Sequence, residues 1–363
     1  MSLKTVGWIV WASSLCFVAG PSLGQTALGQ TDWRKVAVPY YTAEAYVQGA
    51  ALFHAQRARA FAGAAAKLKA TLQDQCSAVA ARPGSGPVQA AWRGAVSAWD
   101  GLAAVSVGAL VERRSARAID FMPARPEMLA RALRSAPQDE AAMDNIGAPA
   151  KGFAALELLL WPQVSPGFAV SADAGGECGY AAQLAAGITR EAEALEQAFA
   201  NAARNPPEAE AAAAGLAEAF NQWVGGTEQL RWAFMRKPLE AAAQRKGAAS
   251  YPRLRSGQAA AAWAARWQTL QTFAMQGARP APEPGAALVP LETLLRGKGL
   301  NPLADRLVRA GRKAAQGMQR ARPDQPATVR AAAAALGDLV TLAQTELAPA
   351  LTVSLSFSDA DGD

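Results

Sequence analysis

Nitrogen and sulfur donors are scarce in this 363-residue chain, which has one histidine, His54, and three cysteines. A catalytic zinc usually draws on about three protein ligands, most often His with Glu or Asp, and keeps one position open for water. One imidazole does not furnish that set, and no His-Glu-x-x-His pair exists in the sequence. A Ser-His-Asp triad would have to recruit His54, and no Gly-rich phosphate loop follows a strand. Long hydrophobic runs are also missing. The apolar run at residues 6–19 is too short to span a bilayer comfortably, and no later stretch is long enough. Strand-like alternation is absent except in the last residues, which leaves an all-α protein.

What is present favours helix. Hydrophobic residues make up 51% of the chain, enough to build a sizeable core. Alanine runs at 211–214 and 331–335 carry the highest helix propensity. The formal charge is +6 and the pI near 9.4. The arginines are scattered along helices rather than packed in one run, which marks solvated faces. No nucleic-acid-binding signature appears, so nucleic acid is not an expected partner.

The N-terminus reads as a secretory signal over residues 1–24. Lys4 gives the positive start, the apolar run follows, and Ser22-Leu23-Gly24 precedes cleavage before Gln25. Cys16 follows Leu15 rather than Gly or Ala, which argues against lipoprotein processing. The expectation is an exported, periplasmic protein with no transmembrane segment. Cleavage leaves Cys76 and Cys178, and in an oxidising compartment an even pair is more often a disulfide than two free thiols.

Helical spacing divides the rest. After a flexible leader at 25–40, a long helix is expected over 42–80, with Thr42 as its cap and Glu44 in its first turn. A second runs over 88–110, with Trp92 and Trp99 on one face as core fillers. A short helix over 127–135 follows Pro126, and 136–150 reads as loop. Another loop at 163–176 leads to a helix over 180–203. Asn205-Pro206-Pro207 is the best domain boundary. Helices are expected beyond it at 208–237, 256–276, 288–295 with 303–320, and 327–347. The expected fold is two helical bundles side by side, 41–204 and 205–350, with a short extended acidic tail at 351–363.

One stretch organises the first half: Lys151-Gly152-Phe153-Ala154-Ala155-Leu156-Glu157-Leu158-Leu159-Leu160-Trp161-Pro162. It reads as a helix apolar on every side, which belongs at the centre of a bundle. Gly152 opens it and Pro162 ends it. A lone carboxylate in such a helix, Glu157, is costly without a partner, a proton or a metal.

Gly152, Glu157 and Trp161 stand where the imelysin-like proteins, peptidase family M75, carry a Gly-x-His-x-x-Glu motif running into an apolar helix. The His position is Ala154. The chain therefore resembles a divergent imelysin-like protein, and other segments support it. Gly108-Ala109 matches a family break. Arg113–Pro123 resembles an Arg-rich stretch before Phe-Trp-Pro, with Met122 for the Trp. Arg253-Leu254-Arg255-Ser256-Gly257 resembles Trp-Arg-Ser-Gly, with Leu254 for the Trp, and the Phe-to-Asp-Gly-Asp tail is similar. The resemblance implies the two-bundle fold and a role around iron or haem uptake at the envelope. It also places cysteines comparably, which implies a Cys76–Cys178 bridge. Closing a loop of about 100 residues contributes roughly 4–5 kcal/mol at most by loop entropy.

Two readings of Glu157 stay open. It can pair with an arginine such as Arg255 or Arg117, whose fork satisfies a buried carboxylate. Alternatively, with Asp100 or Asp120, it can offer hard oxygen ligands for a metal ion such as iron, calcium or magnesium, with zinc the family alternative. Arginines are plentiful, so the ion pair is favoured. His54 reads as a surface or hydrogen-bonded residue rather than a replacement ligand. The acidic end resembles the start of a calcium loop but lacks the closing Glu.

The expected function is an exported binding or accessory protein with a degenerate metal site and no catalysis. Its ligand, small and anionic or a peptide, would sit between the bundles near Gly152, Glu157, Asp120, Arg255 and Ser256. Its partners would be iron- or haem-uptake or envelope proteins. The alternatives are an M75-type metallopeptidase and a structural envelope interaction protein.

Overall fold

The computed structural model describes residues 38–77, 81–162, 174–277 and 279–355. The expected signal segment, most of the leader, most of the 163–176 loop and the acidic end lie outside the described residues. Among the described residues every regular element is helical.

The first half follows the expected order with changes at the ends. Helix α1 (Ala43–Gln75) starts where Thr42 Oγ1 accepts from the Ala45 N–H at 3.3 Å. Helix α2 (Gly86–Leu102) stops eight residues before the expected 110. The chain leaves it against the second bundle, and one freed carbonyl finds its partner there. Gly101 O accepts from the Thr269 hydroxyl at 2.8 Å. Gly108, at φ 50°, then sets the break before the short helices α3 (Ala109–Glu112) and α4 (Ser115–Ile119). Helix α5 spans Pro126–Ser135. The expected loop at 136–150 holds a further short helix, α6 (Glu140–Asp144), capped by Asp139, which accepts from the Ala142 N–H at 2.8 Å. The signature helix α7 (Gly152–Leu160) is buried over its whole length, as an all-apolar helix must be. Helix α8 (Ala174–Arg204) begins six residues before the expected 180.

Beyond Pro206-Pro207 the chain forms α9 (Ala209–Gln229), a π-helical segment (Leu230–Arg236) and α10 (Lys237–Arg245) without interruption. Then come α11 (Ala259–Ala274), α12 (Leu291–Gly297), α13 (Asn301–Arg320) and α14 (Pro326–Leu342). A second π-helical segment (Ala343–Leu347) leads into α15 (Ala348–Leu351). Both π segments immediately precede a proline within the helix, Pro238 and Pro349. A proline ring collides with the carbonyl four residues earlier, and a widened turn relieves that collision without ending the helix. This is why the expected helix at 208–237 continues to Arg245.

Two apolar cores result. In the first, α1 packs along α8 and α2, with α7 against α8. Phe61, Trp92, Phe153, Leu156 and Leu160 are fully buried in it. Each such side chain contributes about 1.5–3 kcal/mol relative to exposure. The second core holds α9 to α15 and also takes Tyr41, Tyr46 and Ala50 from the start of α1. The bundles meet where α2 packs on α11 and α1 on α9. The contact there is close: a Cβ on Gly226 would lie 1.9 Å from Ala104 O. The disulfide Cys76–Cys178 joins the end of α1 to the start of α8.

Candidate functional site

The site is built from α7 and from a turn of the second bundle that reaches across to it. Gly152 takes φ +69°, and a Cβ there would sit 2.0 Å from the Ile119 carbonyl oxygen. Only glycine lets the end of α4 lie against the start of α7, and that approach delivers the next residue, Asp120, into the interior. Glu157 follows on the same helix, 8% exposed.

The turn at 251–257 comes from the opposite side. Arg253 occupies the left-handed region, φ 62°. Its carbonyl accepts from the Gln258 N–H at 2.8 Å and the Ser256 hydroxyl at 3.0 Å, which closes the turn. The Ser256 N–H is thereby aimed at Glu157 and donates to Oε1 at 2.8 Å. Arg255 donates to the Trp161 carbonyl at 3.2 Å and lies within electrostatic reach of Glu157. Partial burial lowers the Arg255 pKa, and Glu157 opposes that.

Arg253 itself is buried. Its Nη2 donates to Asp120 Oδ1 at 2.6 Å and Oδ2 at 2.7 Å, and Trp99 Nε1 donates to the same Oδ2 at 2.7 Å. Arg253 Nε stands 3.6 Å from Asp100 Oδ2, and Arg266 Nε donates to Asp100 Oδ1 at 3.1 Å. Arg266 also donates to Gln229 Oε1 at 3.0 Å and packs 4.1 Å over the Phe234 ring. Two carboxylates of the first bundle are thus matched by two guanidinium groups of the second. Burial opposes the Arg253 charge, yet Asp120 and Asp100 overcome it and hold the guanidinium above its ordinary range. Burial also pushes the Asp120 carboxyl up, while Arg253 draws it back.

The structure brings Glu157, Ser256 and Arg255 together, with Asp120 beside them through Arg253. Gly152 does not join that group and lines a depression with residues of α4, α6 and α8. Arg117, one of the two arginines considered for Glu157, is exposed on α4 and lines that same depression. The chief partner of Glu157 is instead a backbone N–H, which no side-chain pattern reveals. The sequence pattern alone assigns no role to Arg253 or Arg266. Arg266 was findable, since it shares the apolar face of α11 with Ala262, Trp263 and Leu270 at helical spacing.

These residues do not fit the metal that a peptidase-family helix implies. Asp100 and Asp120, considered as ligands with Glu157, are committed to Arg253 and Arg266. Arg253 Nε, Arg253 Nη1 and Trp92 Nε1, all buried, make no hydrogen bond among the described residues, and neither does Asp100 Oδ2, which faces Arg253 Nε at 3.6 Å. Unpaired N–H donors suit an oxygen acceptor, not a cation. His54 is buried rather than at the surface, with Nδ1 2.9 Å from Ala50 O and Nε2 3.0 Å from Val105 O. Its ring stacks on Phe199 at 5.2 Å. Among the described residues no three His, Cys, Asp or Glu side chains group as a metal site would.

The fold and this cross-bundle network define an all-α, two-bundle protein organised on one buried acidic helix. The family model of imelysin, peptidase family M75, matches residues 54–353, and the chain belongs to that family. An imelysin-like protein from Psychrobacter arcticum 273-4 is 20% identical in sequence and superposes with a TM-score of 0.70, covering 89% of this chain and 100% of that one. A putative iron-regulated protein A precursor from Parabacteroides distasonis ATCC 8503 is 17% identical with a TM-score of 0.62, covering 85% of this chain and 95% of that one. No curated protein matches the chain.

Proposed function

We propose that this protein is an exported, non-catalytic binding or accessory protein that serves iron or haem uptake at the bacterial envelope, with its working site in the periplasm. The iron assignment draws on the iron-regulated neighbour of the same fold. Export draws on the signal-like residues 1–24. The observation that carries the non-catalytic reading is the state of the signature helix. Ala154 stands at the His position, Glu157 is held by the Ser256 N–H, and both nearby aspartates are held by arginines. A water-activating metal needs several donors free of other partners, and here Glu157 Oε1, Asp120 and Asp100 Oδ1 already accept from Ser256, Arg253 and Arg266. Arg253 and Arg255, both within electrostatic reach of Glu157, support recognition of an oxygen-bearing ligand at this junction of the bundles.

Calorimetric titration of the metal-stripped protein with ferrous, ferric, zinc and calcium ions tests the metal part. The expected result is no tight binding that depends on Glu157. Digestion of an unfolded protein substrate, with and without chelator, tests catalysis. Chelator-sensitive cleavage lost in Glu157→Gln would replace this reading with an M75-type metallopeptidase.

A further inference from the structure

On the first bundle lies a depression of about 640 Å³, lined by α4, α6, α8 and the start of α7 and by no residue of the second bundle. That volume lies in the range of small-molecule sites, roughly 300–1,000 Å³. Five basic side chains line it, Arg113, Arg114, Arg117, Lys151 and Arg190, against three acidic ones, Glu140, Asp144 and Glu191.

The internal pairing leaves an uneven balance. Arg113 engages both oxygens of Glu191, at 3.0 and 2.8 Å, and Glu191 also accepts from the Ser115 hydroxyl at 2.6 Å. Arg190 pairs with Glu140 at 2.9 Å. Among the described residues Arg114, Arg117 and Lys151 have no salt bridge, and Asp144 is the one remaining acidic side chain of the lining. Three cations against one anion leave a formal surplus of two positive charges in a concave wall, where field lines concentrate.

Two further features set this patch apart from an ordinary solvated basic face. Lys151 is partly stripped of water, which lowers its pKa, and Arg190 adds to that while Asp144 opposes it. An ammonium so placed gains more from an anionic partner than one in bulk water. The floor is also kept clear by Gly187 within α8. A Cβ there would meet only the Arg190 tip, at 3.9 Å, so nothing in the packing of that helix requires glycine. Glycine within a helix costs about 1 kcal/mol relative to alanine. At Gly187 its effect is to leave the depression open.

We propose that this depression binds a small molecule carrying two or more oxyanion groups, either carboxylates or phosphates, with Arg114, Arg117 and Lys151 as its charge partners. Arginine forks match planar carboxylates and phosphate oxygens alike, and the lysine adds a point charge. The site is separate from the Glu157 site and does not rest on the function proposed above.

Calorimetric titration of the full chain with citrate and with pyrophosphate at low ionic strength tests this. The expected result is a dissociation constant at or below about 1 mM for at least one of the two. Citrate binding alone identifies a carboxylate ligand, and pyrophosphate binding alone a phosphate. Affinity should fall tenfold or more in Arg114→Ala/Arg117→Ala, whose side chains are exposed and whose loss leaves the cores intact. It should fall equally in Gly187→Leu, which fills the floor without changing charge, with an unchanged circular dichroism spectrum showing that each variant folds. Lys313→Ala, which removes an exposed cation of the second bundle, should bind as the parent does. Absence of binding by both anions, or equal affinity in the parent and both groove variants, would overturn the assignment. So would tighter binding of a polyglutamate peptide than of either small anion.

Discussion

Arg253 reaches across 133 residues of sequence to place one nitrogen 2.6 and 2.7 Å from the two carboxylate oxygens of Asp120. The pair is buried on both sides and joins the turn of one bundle to the end of a short helix in the other. Removing either partner strands a charge in the interior. Arg253→Ala or Asp120→Ala should therefore lose about 3–5 kcal/mol in urea unfolding. Replacing both with apolar residues of similar size, Arg253→Met with Asp120→Leu, should lose far less than the sum. Additive losses in that double-mutant cycle would show that the two are not energetically coupled.

Gly152 joins the backbone of the signature helix to Ile119. Gly152→Ala meets both a left-handed φ and a carbonyl oxygen at 2.0 Å, so the helix start or residue 119 must move. The expected loss is about 2–5 kcal/mol. Gly63→Ala in the middle of α1 is the control, because nothing lies within 4 Å of its Cβ. That change should be neutral or stabilising by up to about 1 kcal/mol, since alanine is the better helix former. Thermal melts of the two variants separate a packing requirement from a general intolerance of substitution.

Cys76 and Cys178 close a loop of 102 residues. Cross-linking a loop of this length removes unfolded-state entropy worth about 4–5 kcal/mol, an upper figure. Reduction with dithiothreitol, or the Cys76→Ser/Cys178→Ser variant, should lower the urea midpoint with the helical spectrum preserved. An unchanged midpoint would mean that the bond does not persist in solution.

His54 supplies a pH dependence of defined sign. Burial pushes its pKa below the ordinary 6.5, the carbonyls of Ala50 and Val105 pull it partly back, and Arg57 pushes it down again. The folded state then holds the proton less well than the unfolded chain. Its contribution to stability is complete above the unfolded pKa and is lost as pH falls through about 6.5 toward the folded value. The parent should lose more stability between pH 8 and pH 5 than His54→Asn, which does not titrate. Parallel pH profiles for the two proteins would remove His54 as the cause.

How much of this was readable in advance differs between elements for physical reasons. Long helices announce themselves by apolar spacing and caps, so α1, α11 and α14 were located to within a few residues, and Thr42 caps α1 as its side-chain chemistry requires. Trp92 and Trp99 share a buried face because seven residues make nearly two helical turns. Short elements carry little periodicity, and α6 was missed although Asp139 marks its start. Glu157 stood out as a lone carboxylate in an apolar helix, yet its partner could not be read, because a backbone N–H has no identity in a sequence.

The amino-acid order by itself determined the helical class, the cysteine pair, the kinship carried by Gly152, Glu157 and Trp161, and the poverty of imidazole. Those properties are local or compositional, and each follows from residue type and spacing. The tertiary structure alone decided which arginine meets which carboxylate. Arg253 and Arg255 lie two residues apart in one turn, and only the left-handed conformation at Arg253 sends that side chain inward to Asp120, while Arg255 stays half-buried beside Trp161. Charges choose partners through space, and the space between two bundles exists only once both have packed.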